Sequence, residues 1–301
     1  MRGLRASGLG VVATVALMLT FAATAGASTI FFTASSAYDF HHGSIWSVRA
    51  DGTHARQLRG HLPEGPGGVV ASLSRDGKRL FCLCRGTEID SLKLDGSDMK
   101  KVGRRPADTK YDYIVLGPKG EPFWWDDEGR LMTARRNGKD PHRVINGYYE
   151  EELAVPPRGK RIALSGGTSI VTASLDGGPT TRIYHSTFPG LRAVGDMSWS
   201  ADGKKLVFVD YPEPEKYETP ADPESHAFLY AGGSVRELPL SQEAMGGPPI
   251  FSPDATRLAS TGEEGSLYVS SLDGGAPKRI LQRNCTRANC LFSPGLLGWV
   301  R

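Results

Sequence analysis

The sequence predicts an all-β fold: a six-bladed β-propeller of four-stranded antiparallel blades, closed by pairing the N- and C-terminal strands. Three observations predict it. Turn dipeptides recur about every 40 residues, at Asp51-Gly52, Asp95-Gly96, Asn137-Gly138, Asp176-Gly177, Gly232-Gly233 and Asp273-Gly274. A second turn precedes each of the later ones by roughly 20 residues, and short apolar alternations lie between the two. No stretch after residue 27 carries a 3.6-residue apolar period. Repeats of this length are units that cannot bury their own apolar faces and must stack on their neighbours.

Each unit resolves into strands a to d, counted outward from the axis. The a–b turn reads Ser74-Arg75-Asp76-Gly77-Lys78, Ser200-Ala201-Asp202-Gly203-Lys204 and Ser252-Pro253-Asp254-Ala255-Thr256, with weaker forms at Gly117–Gly120 and Pro157–Lys160. Glycine supplies the positive φ that such hairpin turns need. The later Asp-Gly closes c–d. Counting b–c–d sets places six units at residues 29–60, 68–103, 111–146, 151–185, 194–240 and 247–283. The fifth is the longest, and its excess falls in the Pro- and Glu-rich stretch 211–225, expected to be a solvent-facing b–c loop dispensable for folding. The first unit lacks strand a. Trp299 in Leu296–Arg301 resembles Trp199 in Met197-Ser198-Trp199-Ser200, so the C-terminal run is expected to complete that blade. A rival alignment places Leu291-Phe292-Ser293-Pro294 there.

The chain has 301 residues, 39% hydrophobic and 23% charged, the composition of a globular protein. Residues 1–27 read as a secretory signal: Arg2 and Arg5, then an apolar run from Leu9 to Phe21, then Ala25-Gly26-Ala27 as the cleavage site. The apolar run is short for a membrane span of ~20 residues. Residues 28–301 are then an exported propeller, extracellular or periplasmic, with no membrane span after cleavage. They hold 34 Lys and Arg against 33 Asp and Glu. Near-neutrality without a basic run argues against a nucleic-acid partner. Export permits disulfides. Cys285 and Cys290 flank a short polar loop and are expected to bridge it. Cys82 and Cys84 share one face of a strand, where an i to i+2 bond is strained, and are expected to be buried thiols.

The pattern of a Ser-Pro-Asp-Gly-Lys-Arg type turn, a strand, an Asp-Gly turn and an Arg-x-Leu/Ile strand resembles the repeats of TolB-like six-bladed propellers, over essentially all of residues 29–301. The resemblance implies the fold and says little of function. TolB itself carries an additional α/β domain before its propeller.

The b–c and d–a connections share one end of the propeller, and binding is expected there. Candidate ligand-binding residues are Tyr38, His41, His42 and Trp125 from b–c loops, and Asp112, Tyr149, Glu152 and Asp196 at or before strand a. The three acids are expected to ring the channel entrance and attract a cation or an amine. The alternative for each aromatic is packing between blades, and for each acid simple solvation. Asp39, His41 and His42 do not by themselves make a metal site, and no metal or cofactor is expected. The chain has no G-x-S-x-G elbow, no H-E-x-x-H and no P-loop. The reading is a monomeric, non-catalytic module that binds a protein or peptide. The alternative is a hydrolase or lyase acting on a sugar or lactone at the channel mouth.

Overall fold

A computed structural model describes residues 28–36, 39–63, 71–85, 88–105, 114–146, 152–189, 192–212, 224–262, 265–282 and 291–301. They form six four-stranded antiparallel sheets. Blade 1 contains β1 (Thr29–Ser36), β2 (Asp39–Arg49) and β3 (Arg56–Pro63). Blade 2 contains β4 (Ala71–Leu73), β5 (Arg79–Arg85), β6 (Glu88–Lys93) and β7 (Lys100–Arg104). Blade 3 contains β8 (Ile114–Leu116), β9 (Pro122–Trp125), β10 (Leu131–Thr133) and β11 (His142–Ile145). Blade 4 contains β12 (Glu152–Ala154), β13 (Arg161–Gly166), β14 (Ser169–Ser174) and β15 (Thr181–His185). Blade 5 contains β16 (Arg192–Trp199), β17 (Lys205–Pro212), β18 (His226–Ala231) and β19 (Ser234–Leu238). Blade 6 contains β20 (Ile250–Phe251), β21 (Arg257–Thr261), β22 (Leu267–Ser271) and β23 (Lys278–Leu281). The last strand, β24 (Leu291–Val300), returns to blade 1 and pairs antiparallel with β1.

The closure agrees with the sequence. Trp299 faces Ile30 across the β24–β1 ladder as Trp199 faces Leu206 across β16–β17. β24 also takes in Leu291–Pro294, so the rival run is the other end of the same strand. Thr29 pairs with Val300 and Ser36 with Leu291, leaving no open edge on the inner side of β1.

The a–b turns repeat one hydrogen-bond pattern. The buried Ser200 Oγ donates to Asp202 Oδ1 at 2.7 Å and accepts from the Lys205 N–H at 2.9 Å. Ser74 with Asp76 and Arg79, and Ser252 with Asp254 and Arg257, do the same. The serine hydroxyl holds the Asp76 and Asp202 carboxyls below the usual carboxylate range. In the c–d turns the glycine is required by crowding as well as by its positive φ. A β-carbon at Gly96 would run into the Leu58 carbonyl, and one at Gly52 into the Ile280 carbonyl. Each turn therefore seats against the outer strand of the preceding blade.

The core is divided among the blade interfaces. Ile30, Phe32, Val48, Leu267 and Trp299 pack between blades 6 and 1. Phe31, Ile45, Leu80, Cys82 and Leu92 fill the space between blades 1 and 2. Comparable clusters lie at the other four junctions. Cys82 is fully buried, as expected, but is not a free thiol. Cys285 and Cys290 lie outside the described residues. Among the described residues no helix is long and apolar enough to cross a membrane.

The two kinds of connection that share one end of the propeller differ in length. β1 joins β2 through residues 37–38, β5 joins β6 through 86–87, and β13 joins β14 through 167–168. Only blade 5, between Pro212 and His226, has a long one. The length lies in the d–a connections, for example 105–113 between β7 and β8 and 239–249 between β19 and β20. The reason is geometric: b and c are hydrogen-bonded neighbours, whereas d and the next a lie at opposite radii of adjacent blades.

Candidate functional site

The inner strands of all six blades enclose an axial cavity of about 650 Å³. Its wall is about equally polar and apolar, with Leu73, Val115, Leu153, Met197, Phe251 and Leu297 among the apolar lining residues. It opens among the a–b turns, where Arg75, Lys78, Arg158 and Arg301 stand at its rim. This is the end opposite the one expected to concentrate binding.

Toward the other end of the channel, the described residues of blades 4 and 5 carry two of the candidate acids. β16 carries a bulge. Gly195 pairs with Val209 and Ser198 with Val207, so Asp196 and Met197 together face Phe208. The extra residue is accommodated by a left-handed backbone at Asp196, φ +52°. Aspartate tolerates this conformation better than most residues, at a cost of about 1 kcal/mol. The bulge re-aims one side chain of the innermost strand. The Asp196 carboxylate makes no hydrogen bond or ion pair among the described residues, and burial pushes its pKa up to about 6. Glu152, the first residue of β12, lies against the neighbouring Gly195. A β-carbon at Gly195 would sit 2.9 Å from Glu152 Oε1, so the glycine is what admits the carboxylate to the face of β16. Two of the three acids expected at the channel entrance, Glu152 and Asp196, thus lie on the innermost strands of adjacent blades. Asp112, Tyr38 and Tyr149 lie outside the described residues.

The other candidates are placed differently. His41 and His42 belong to strand β2 rather than to a loop, and His42 pairs with Pro63 of β3. The hairpin between β1 and β2 is tight, so the ladder extends past them. Trp125 ends β9 and packs, partly buried, against the core between blades 3 and 4. Its neighbour Trp124 is 6% exposed and packs between blades 2 and 3. The alternative of inter-blade packing therefore holds for both tryptophans. Among the described residues no three of His, Cys, Asp and Glu come together.

A polar network beside this end was not read from the sequence. Arg192, at the start of β16, donates from Nε to Asp210 Oδ1 at 2.7 Å, and both side chains are essentially inaccessible. Tyr184 Oη donates to Asp210 Oδ2 at 2.7 Å, and burial together with this bond raises the tyrosine pKa. Arg192 also donates to the Glu224 carbonyl at 3.0 Å and lies 5.0 Å over the Phe188 ring. Gln242 brackets the next residue, accepting from the Ser225 N–H and donating to its carbonyl. The C-terminal foot of the long b–c connection of blade 5 is therefore tied down from two sides. The remainder of that connection, 213–223, lies outside the described residues, where the expectation of dispensability falls.

The raised pKa at Asp196 makes stability depend on pH. Between about 4 and 6 the folded state holds a proton there that the unfolded chain releases, so stability falls as pH rises through that window. Asp196→Asn is expected to stabilise the protein at pH 7 by about 2 kcal/mol, with the gain vanishing near pH 4. Asparagine keeps the left-handed backbone favourable. Urea melts of both proteins at the two pH values check this, and an equal effect at both would refute the assignment.

No protein-family model matches the chain. Among curated proteins it is similar to the Tol-Pal system protein TolB of Anaeromyxobacter dehalogenans (strain 2CP-C), 24% identical over 238 residues, which are 77% of this chain and 42% of that protein. The protein of the same name from Anaeromyxobacter sp. (strain K) matches to the same extent. The chain thus spans less than half the length of the curated relatives it matches. Among solved structures, a putative TolB from Agrobacterium tumefaciens superposes with TM-score 0.55 at 16% identity, covering 84% of this chain and 88% of that one. An oligogalacturonate lyase in complex with manganese gives 0.53 at 17% identity, covering 80% and 71%. At these identities the superpositions establish the six-bladed fold.

Proposed function

We propose that this TolB-like six-bladed propeller is an exported, non-catalytic binding module that engages a protein or peptide through the end of the channel carrying the d–a connections. The observation that carries the reading is the Asp196 carboxylate, which stands on a bulge of the innermost strand of blade 5, partly buried and without a hydrogen bond or ion pair among the described residues. Such a group suits a cationic group of a ligand, a lysine or arginine side chain or a chain amine, whose approach would relieve the cost of ionising it. Glu152, packed against the neighbouring Gly195, adds a second acid on the innermost strand of blade 4. The similarity to proteins named for the Tol-Pal system supports a role in assembly rather than turnover.

Affinity capture on the immobilised propeller, followed by mass spectrometry, tests this. A partner retained by the parent and lost with Asp196→Asn and Glu152→Gln supports it. A partner retained equally by both overturns the assignment of the site. The second reading is a hydrolase or lyase acting on a sugar or lactone. A partly buried carboxyl with a pKa of about 6 has the form of a general acid or base. Turnover of uronic-acid oligosaccharides or lactones by the parent, abolished by Asp196→Asn, would put the enzyme in place of the module.

A further inference from the structure

Near-neutral overall charge conceals a separation of charge along the propeller axis. Antiparallel strands put the a–b and c–d turns at one end of every blade. The a–b turns span residues 74–79, 117–121, 156–161, 200–205 and 252–257. The c–d turns with their flanks span 49–56, 93–101, 133–143, 174–182, 231–236 and 271–279. Together these segments carry 23 Lys and Arg against 10 Asp and Glu. The rest of residues 28–301 carries 11 against 23. The turn segments of every blade are net positive.

Several acids of this face are engaged by their own turns, while several of its cations are not. Asp51, Asp76, Asp95, Asp202 and Asp254 fold back on their own turns, each accepting from a Ser or Thr hydroxyl at 2.6–2.8 Å. Arg75, Lys119, Arg158 and Lys204, one from each of four blades, line this face, and among the described residues no hydrogen bond or salt bridge engages their charged groups. The positive groups surround the axis rather than running along a stripe or groove. A linear polyanion is matched by a stripe; a ring of cations on one end of a disc is matched by a sheet of anions.

We propose that the turn face is a docking surface for the anionic headgroups of a lipid bilayer, held peripherally and without insertion. Docking in this pose leaves the acidic end, with Glu152 and Asp196, facing away from the membrane. The attraction is additive over the cations within a Debye length of the surface and is weakened by salt.

The test is cosedimentation of the protein with phosphatidylcholine vesicles made with and without phosphatidylglycerol, at low and at high NaCl. Pelleting that requires phosphatidylglycerol and is lost at high salt is expected. Each cation near the surface contributes about a factor of five, so the combined variant Arg75→Glu, Lys119→Glu, Arg158→Glu and Lys204→Glu should partition at least tenfold more weakly. The melting midpoint of the variant checks that it is intact. A single-blade variant, Arg75→Glu alone, gives a graded loss should the combined one misfold. Equal pelleting on neutral vesicles, or undiminished pelleting of an intact variant, overturns the proposal. So does retention on immobilised heparin with no pelleting on anionic vesicles, which would make the ligand a soluble polyanion.

Discussion

Truncation after Pro294 is expected to abolish cooperative unfolding. The lost residues are the part of β24 that pairs with Thr29–Thr33, and they include Trp299, which is 6% exposed between blades 6 and 1. Burying a large aromatic with several aliphatics is worth several kcal/mol, comparable with the whole stability of a domain at about 5–15 kcal/mol. The deletion also uncovers the hydrogen-bonding edge of β1, whose apolar run Ile30-Phe31-Phe32 is fully or nearly fully buried in the intact ring. Light scattering and a thermal melt decide the matter. A monomer that melts like the parent would refute the closure. The point variant Trp299→Ala removes the ring without opening the edge and is expected to cost about 3–5 kcal/mol.

Asp210→Ala is expected to be nearly as damaging. Arg192 and Asp210 form an ion pair with almost no access to water, so removing the carboxylate leaves a buried guanidinium with its main counter-charge gone. Loss of one partner of such a pair costs about 3–5 kcal/mol. Tyr184 loses its acceptor at the same time. Replacing both charges, as Arg192→Met with Asp210→Leu, should recover most of the loss, because the cost of burying two charges disappears with their attraction. Urea denaturation of the single and double variants measures both. A single variant within 1 kcal/mol of the parent would mean that water reaches the pair.

The parts of this architecture legible in the sequence are those written as local chemistry. The Ser-x-Asp turns and the six later Asp-Gly, Asn-Gly or Gly-Gly turns each specify a backbone that few other residues adopt, so their repetition locates the hairpins. Trp199 and Trp299 could be equated because both follow the same apolar lead-in and occupy the same inter-blade socket. What was not legible depends on neighbours distant in sequence. Arg192 and Asp210 look like ordinary surface charges next to strands, and nothing local says that one neutralises the other inside the protein. Asp196 stands out in the sequence for its place near strand a, yet nothing local shows its bulge against β17 or its burial. His41 and His42 read as loop residues because nothing local shows how far the β1–β2 ladder extends. The polarity of the two faces is invisible to a net charge, which sums it to nearly zero; only the alternation of turn and connection along the chain reveals it.

The register of β24 on β1 bears on how the ring responds to force. Val300 lies opposite Thr29, so the beginning and the end of the propeller chain stand side by side at one end of an antiparallel pair. Tension applied through those two points loads the ladder one hydrogen bond at a time, as a zipper is loaded, instead of shearing all of them together. A ring whose resistance to heat rests on the cooperation of six blades can therefore be opened by a modest pull at a single seam. What the chain is tethered to at either end then bears on its mechanical lifetime as directly as its sequence bears on its melting point.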